Sequence, residues 1–300
     1  MLNLCKKGFI LLILCLFAGN LYAQDNKRGW QVELKKIALD ITSTEVKNAK
    51  EYQAFSDARL NGDSQSTIRG NFDGIADYHA KHFLWTNELL MDYGRTQIRP
   101  INEERITNEN ADKILLTTGY TQRLWKVEDI LGGFEVGPFV NLGYETEFTK
   151  PKEAPLKKVL RGTGGIKLFE GKYLKDLFVA VVGERDFTYD PASNKLAWEA
   201  GLKIEQPVRE GVTAKFSVLF RDYLKASHEQ PTDLDYELGA DARLDVQLYK
   251  NLYVAPFISY YTAQGKKSGI GRGENIYVGV SFSFSHIFKQ AEEVKYFFNC

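Results

Sequence analysis

The amino-acid sequence predicts an all-β protein: a single antiparallel up-and-down transmembrane β-barrel of about 12 strands, following a cleaved signal peptide. Three observations carry that prediction. Long segments alternate apolar and polar residues, these segments are longer than ordinary strands, and the connections between them alternate short and long. Asp235–Lys250 shows the alternation best, setting Tyr236, Leu238, Ala240, Ala242, Leu244, Val246 and Leu248 against Asp235, Glu237, Gly239, Asp241, Arg243, Asp245 and Gln247. A strand turns successive side chains to opposite faces, so this stretch is apolar on one face and charged on the other. Glu237, Asp241 and Asp245 also fit one ridge of an amphipathic helix, and the stretch alone does not decide. Recurrence of the same period along the chain decides for strands.

Before the first strand lies an export signal. Lys6 and Lys7 precede the apolar run Phe9–Ala18, and Leu21-Tyr22-Ala23 reads as a cleavage site before Gln24. That apolar run is too short for a spanning helix, which needs about 20 residues. Residues 1–23 are therefore expected to be the signal peptide, 24–288 the barrel and 289–300 a short tail. Cys5 and Cys15 leave with the signal, so Cys300 has no internal disulfide partner. With Lys6 and Lys7 removed, the balanced charge turns slightly acidic, and no basic patch suggests nucleic acid. The 19 Phe, 16 Tyr and 4 Trp favour sheet over helix.

The strands follow in order. Trp30–Ile41 changes phase at Lys35-Lys36, the mark of a bulge. Thr67–His79 and Phe83–Arg95 alternate, as do Gly133–Phe148, Lys195–Gln206, Gly211–Asp222 and Asn275–His286. Asp112–Trp125, Lys158–Phe169, Lys175–Tyr189 and Asn251–Gln264 are strand-like with imperfect alternation, and Tyr52–Leu60 is assigned to a loop. Pro138 and Pro256 fall inside two of these strands although proline donates nothing to a ladder.

Soluble strands average about 5–6 residues, and many of these run about twice that. A tilted strand needs about 9–11 residues to cross a bilayer. Short connections at His79–His82, Lys126–Gly132, Glu170–Leu174, Pro207–Gly211 and Tyr249–Asn251 alternate with longer ones. The longer ones are Thr42–Ser66, Thr96–Ala111, Thr149–Lys157, Asp190–Asn194, Ala226–Thr232 and Gly265–Gly273. Such sorting marks a barrel with two unlike ends and puts both termini on the short-turn, periplasmic side. Lipid cannot satisfy free amides, so a spanning sheet must close. Trp85, Tyr93, Tyr144, Tyr189, Trp198, Tyr236 and Tyr249 suit interfacial aromatic belts.

Ser66–Arg95 contains Trp85, Asn87, Leu89, Tyr93 and Gly94 in the form W-x-N-x-L-x-x-x-Y-G, and Tyr277–Phe284 reads as a closing strand. On these features the chain resembles an uncharacterised family of outer-membrane β-barrels common in Bacteroidota, similar in style to the salt-induced outer-membrane proteins. The resemblance implies a Gram-negative outer-membrane location, with lipid and the barrel-assembly machinery as partners, and brings no catalytic residues. Lys289–Cys300 departs from barrels that end on a terminal aromatic, since here Phe288 is the candidate aromatic.

No catalytic constellation stands out. Twelve-strand outer-membrane phospholipases place His and Ser two positions apart on one strand, and no H-x-S occurs here; Ser285-His286 and Ser227-His228 are adjacent and would point to opposite faces of a strand. His228 near Glu229, Asp233 and Asp235 imitates the rim site of a barrel protease. His79 and His82 have only Asp77 nearby as a third metal ligand, and the stretch His-Ala-Lys-His reads as a solvated turn. Gly162–Gly165 lacks the Lys-Ser/Thr of a phosphate loop and is expected to relieve crowding in a strand. No metal or cofactor is expected.

The polar faces project a charged set inward: Arg69, Asp73, Glu88, Asp92, Glu135, Glu199, Lys203, Lys215, Arg221, Glu237, Asp241, Arg243 and Asp245, with Asp77, Glu145 and Glu205. Two readings stand. The lumen is filled by salt bridges, or it is a narrow aqueous path whose acidic excess favours cations. A structural barrel or passive small-solute pore is the expected role; a barrel hydrolase and a surface-binding barrel with Thr42–Ser66 as its contact loop are the alternatives.

Overall fold

The computed structural model describes residues 27–52, 55, 58–61, 66–98, 106–128, 130–150, 155–230, 232–267 and 269–293. The expected signal peptide and residues 294–300 of the expected tail lie outside them. The strands are β1 (Lys27–Lys47), β2 (Ser66–His79), β3 (Phe83–Ile98), β4 (Ile106–Gln122), β5 (Trp125–Val127), β6 (Phe134–Thr146) and β7 (Lys158–Phe169). They continue as β8 (Leu174–Asp186), β9 (Ser193–Arg209), β10 (Val212–Ala226), β11 (Leu234–Tyr249), β12 (Leu252–Gly265), β13 (Gly273–Lys289) and β14 (Glu292–Glu293). Each long strand pairs antiparallel with its neighbour in sequence, and β13 returns to β1 from Val32↔Lys289 to Lys47↔Glu274, which closes the barrel. The short pieces β5 and β14 pair only with β6 and with the start of β1, leaving twelve wall strands.

The two faces are inverted relative to a soluble protein. Val140 is 59 % exposed and Leu142 51 %, whereas Glu145 on the same strand is 7 % exposed. Ile37, Leu39, Leu116, Val179, Val278 and Phe282 extend the apolar outer band around the wall. Lipid is the medium in which such a band is favourable and an edgeless sheet is required. Aromatic belts rim it. On the short-turn side Trp30 meets Tyr78 at 5.3 Å and Trp85 at 6.1 Å, and Phe83 stacks on Tyr120 at 5.3 Å. On the long-loop side Trp198, Phe220 and Tyr236 form a row with ring separations of 5.2 and 6.2 Å. Tyr189 does not join a belt: it sits beside Thr232 in the connection after β8 with its hydroxyl buried.

Both prolines are seated within paired strands, Pro138 opposite Ile166 and Pro256 opposite Val280. In the run Gly162–Gly165 it is Gly165 that space requires, because a Cβ there would lie 2.1 Å from the Val179 carbonyl oxygen. The bulge at Lys35-Lys36 is present: Leu34 pairs with His286 and Ile37 with Phe284, one residue more on β1 than on β13. The connection that carries Tyr52–Leu60 contains two short helical turns, Ala49–Tyr52 and Ala58–Asn61.

Candidate functional site: the barrel lumen

Two backbone irregularities determine what enters the lumen at the short-turn end. The β1 bulge breaks the alternation between neighbours, so consecutive Lys35 and Lys36 both line one cavity, with Lys35 Nζ 3.1 Å from Glu88. The second is the step from β4 to β5. Thr121 pairs with Phe139 and Trp125 with Val136, and the intervening residues arch across the inner face at Gly137. A Cβ on Gly137 would lie 1.6 Å from the Gln122 carbonyl oxygen, so only glycine admits the arch. The arch drives Arg123 inward, where it pairs with Glu135, reaches Glu170 at 2.6 Å and lies 3.3 Å from His79 Nδ1. His79 is 2 % exposed in this cluster, which corrects the expectation of a solvated turn; His82 alone faces solvent. The turn is short enough that Glu170, from the next turn but one, packs over it.

In the outer half, ion pairs run from strand to strand along one wall. Glu145 pairs with Lys157 at 2.8 Å and with Arg161 at 3.2 Å, and Arg161 pairs with Glu184 at 2.8 Å. Lys195 continues to Asp186 at 2.9 Å and Asp233 at 2.8 Å. Arg221 stands directly opposite Glu199 on one neighbour and Glu237 on the other, at 2.7 and 2.8 Å. Charge-assisted pairs at cross-strand positions satisfy these buried groups where water is scarce. The connection after β1 covers the opposite side of the mouth. Tyr52, Phe55 and Leu60 pack with Tyr261 and Ala263, while the Arg59 guanidinium lies 3.6 Å from the Tyr261 ring centre and 3.6 Å from Glu237.

Among the described residues the lumen keeps polar space, of which two cavities bear on function. One of about 690 Å³ occupies the short-turn half and is lined by Lys35, Lys36, Asp73, Lys203, Asp241 and Ser283 among others. The other, of about 260 Å³, lies under the covering segment between Arg59, Asp92, Lys157, Asp241 and Tyr277. Asp241 is the lining residue they share.

Most of the sequence-predicted set is drawn into pairs: Arg69 with Asp92, Glu88 with Lys35, Glu135 with Arg123, Glu199 and Glu237 with Arg221, and Lys215 and Arg243 with Asp245 at 2.9 and 2.6 Å. Asp73, Lys203 and Asp241 line the larger cavity without a salt bridge among the described residues. Sequence reasoning missed Lys35, Lys36, Arg123, Arg161 and Lys195 as inward groups. The first three sit at phase breaks, and Arg161 belongs to a strand whose alternation glycines obscure.

Neither serine–histidine pair is hydrogen-bonded to a carboxylate among the described residues. Ser227 Oγ lies 3.2 Å from His228 Nδ1 in a solvent-exposed connection, and nearby Asp233 is held by Lys195 and the Gln230 amide. Among the described residues no group of three His, Cys, Asp or Glu side chains is arranged to hold a metal ion.

Closed wall, apolar exterior and charged interior define the class: a membrane-spanning β-barrel. No family model matches the sequence, and no curated protein matches it. Several solved structures are similar to it at low identity. The translocator domain of the autotransporter NalP from Neisseria meningitidis is 12 % identical, covering 94 % of this chain and 95 % of that one, with a TM-score of 0.32. The NanC porin is 11 % identical over 81 % of this chain and 98 % of its own, with a TM-score of 0.38. Outer membrane phospholipase A from Escherichia coli is 8 % identical over 82 % of this chain and 89 % of its own, with a TM-score of 0.42.

Proposed function

We propose that this protein is a Gram-negative outer-membrane barrel whose lumen is a narrow aqueous path for inorganic ions and small polar solutes. The observation that carries this reading is the pair of polar cavities in the lumen, one towards the short turns and one towards the long loops, with Asp241 in the lining of both. Hydrophilic space inside an apolar wall is the arrangement that conducts. The export signal at residues 1–23 and the likeness of Ser66–Arg95 to the Bacteroidota outer-membrane barrels support the location. Outer-membrane lipid and the barrel-assembly machinery are then its partners. The test is conductance: full-length protein shown to be folded by heat-modifiable gel mobility is reconstituted in planar bilayers. Discrete current steps are expected, and a folded sample that passes no current would refute the pore.

A further inference from the structure

We propose that Asp241 is the specificity-determining residue of this path and that it selects small inorganic cations over anions. The inference rests on the pore reading above. Asp241 lines both cavities, so a solute crossing from one to the other along this side of the lumen would pass its carboxylate. Its cross-strand neighbours on the inner face are Ser217 and Ser259, small hydroxyl residues that leave the carboxylate open. Ser259 donates its hydroxyl hydrogen to one Asp241 oxygen, and that is a neutral partner.

Three cations near it are held in ion pairs, while Lys36 and Lys203 line the larger cavity without a salt bridge among the described residues. Two residues along β11, Arg243 is held by Asp245 at 2.6 Å; Lys215 is held by the same carboxylate at 2.9 Å, and Arg69 by Asp92. Outward along β11 the next inner-face residue is Gly239, which adds neither charge nor bulk. Asp241 therefore holds a carboxylate outside the ion-pair network at the lining position that both cavities share. A fixed negative charge on a low-dielectric wall concentrates cations and repels anions, and added salt screens it.

Reversal potentials across a tenfold KCl gradient test this in planar bilayers. Wild-type protein is expected to favour K⁺ several-fold over Cl⁻, Asp241→Asn to bring the ratio close to unity, and Asp241→Lys to favour Cl⁻. Glu210→Gln removes an acid from the turn between β9 and β10, outside both cavities, and is expected to leave the potential unchanged. Asp241 takes part in no ion pair among the described residues, so its variants keep the barrel's salt-bridge network, and heat-modifiable mobility verifies each fold. Asp241 variants that conduct with the wild-type reversal potential would overturn the assignment and leave the pore standing. A Glu210→Gln shift as large as that of Asp241→Asn would overturn it as well. Absence of current from every folded variant and the wild type would instead remove the pore reading and this inference with it.

Discussion

The hydroxyl of Tyr52 accepts the backbone N–H of Gly273 across the barrel mouth, at 3.2 Å. It also accepts the Gly265 amide at 3.1 Å and shares its own hydrogen between the carbonyls of Ala263 at 3.1 Å and Gly271 at 3.0 Å. One side chain thereby satisfies the ends of β12 and β13 and anchors the segment that covers the mouth. Tyr52→Phe leaves those amides in a buried site without their acceptor, at about 1–3 kcal/mol. The covering segment is expected to undock more often. Limited proteolysis within residues 48–65 should accelerate while the barrel itself stays heat-modifiable; a cleavage rate equal to wild type would mean that Tyr52 does not hold the segment.

At the opposite end, Arg123 joins Glu135, Glu170 and His79 with its own side chain fully enclosed. Removing one member of a buried charge pair is more damaging than the pair's net worth, because the remaining charges stay desolvated; about 3–5 kcal/mol is typical. Arg123→Met is therefore expected to lower the urea midpoint of unfolding strongly. The double variant Arg123→Met with Glu135→Gln should recover part of that loss. Equal midpoints for Arg123→Met and wild type would show that the cluster contributes nothing to stability.

How much of this was legible in the sequence follows strand regularity. β11 alternates without a break, and its faces fall as Asp235–Lys250 requires: Leu244 is 37 % exposed on the wall and Asp245 9 % exposed within. Period fixes facing only while the backbone stays regular. At Gln122–Leu124 the chain arches inward, and nothing in the local pattern marks Arg123 as an inner residue. The lone clue is Gly137, fifteen or so positions away along the chain, which makes room for the arch. The covering segment was equally hidden, because the partners of Tyr52 are backbone groups of β12, β13 and their connection, more than 200 residues distant. Ion pairing was foreseeable as a class, but the choice of partner depends on cross-strand register, which a single sequence leaves open.

The outer wall gives a sharper stability test. Val140 projects into the apolar band at 59 % exposure, so Val140→Arg places a charge in hydrocarbon. The cost is about 2–4 kcal/mol at the bilayer midplane and falls towards the interfaces. Val140→Leu should be near neutral. Refolding into lipid vesicles followed by urea titration measures both, and an Arg variant as stable as the Leu variant would place this face away from lipid.

The β1 bulge supports a prediction that separates register from composition. Leu34, Ile37, Leu39 and Ile41 are the wall residues of β1, and the extra lysine is the sole interruption between Leu34 and Ile37 in their two-residue spacing. Deleting Lys35 restores strict alternation: Leu34 and Ile37 then flank one inward lysine, with every later residue on its original face. Deleting Ala38 has the opposite effect, since it removes a residue from a regular stretch and turns one side of the strand's pattern towards the wrong medium. The Lys35 deletion is expected to assemble into membranes and run as a heat-modifiable barrel, with Glu88 free to take Lys36 in place of its present partner. The Ala38 deletion is expected to accumulate unfolded. Should both deletions assemble equally well, the closure of β1 against β13 would not depend on register in the way the paired strands indicate.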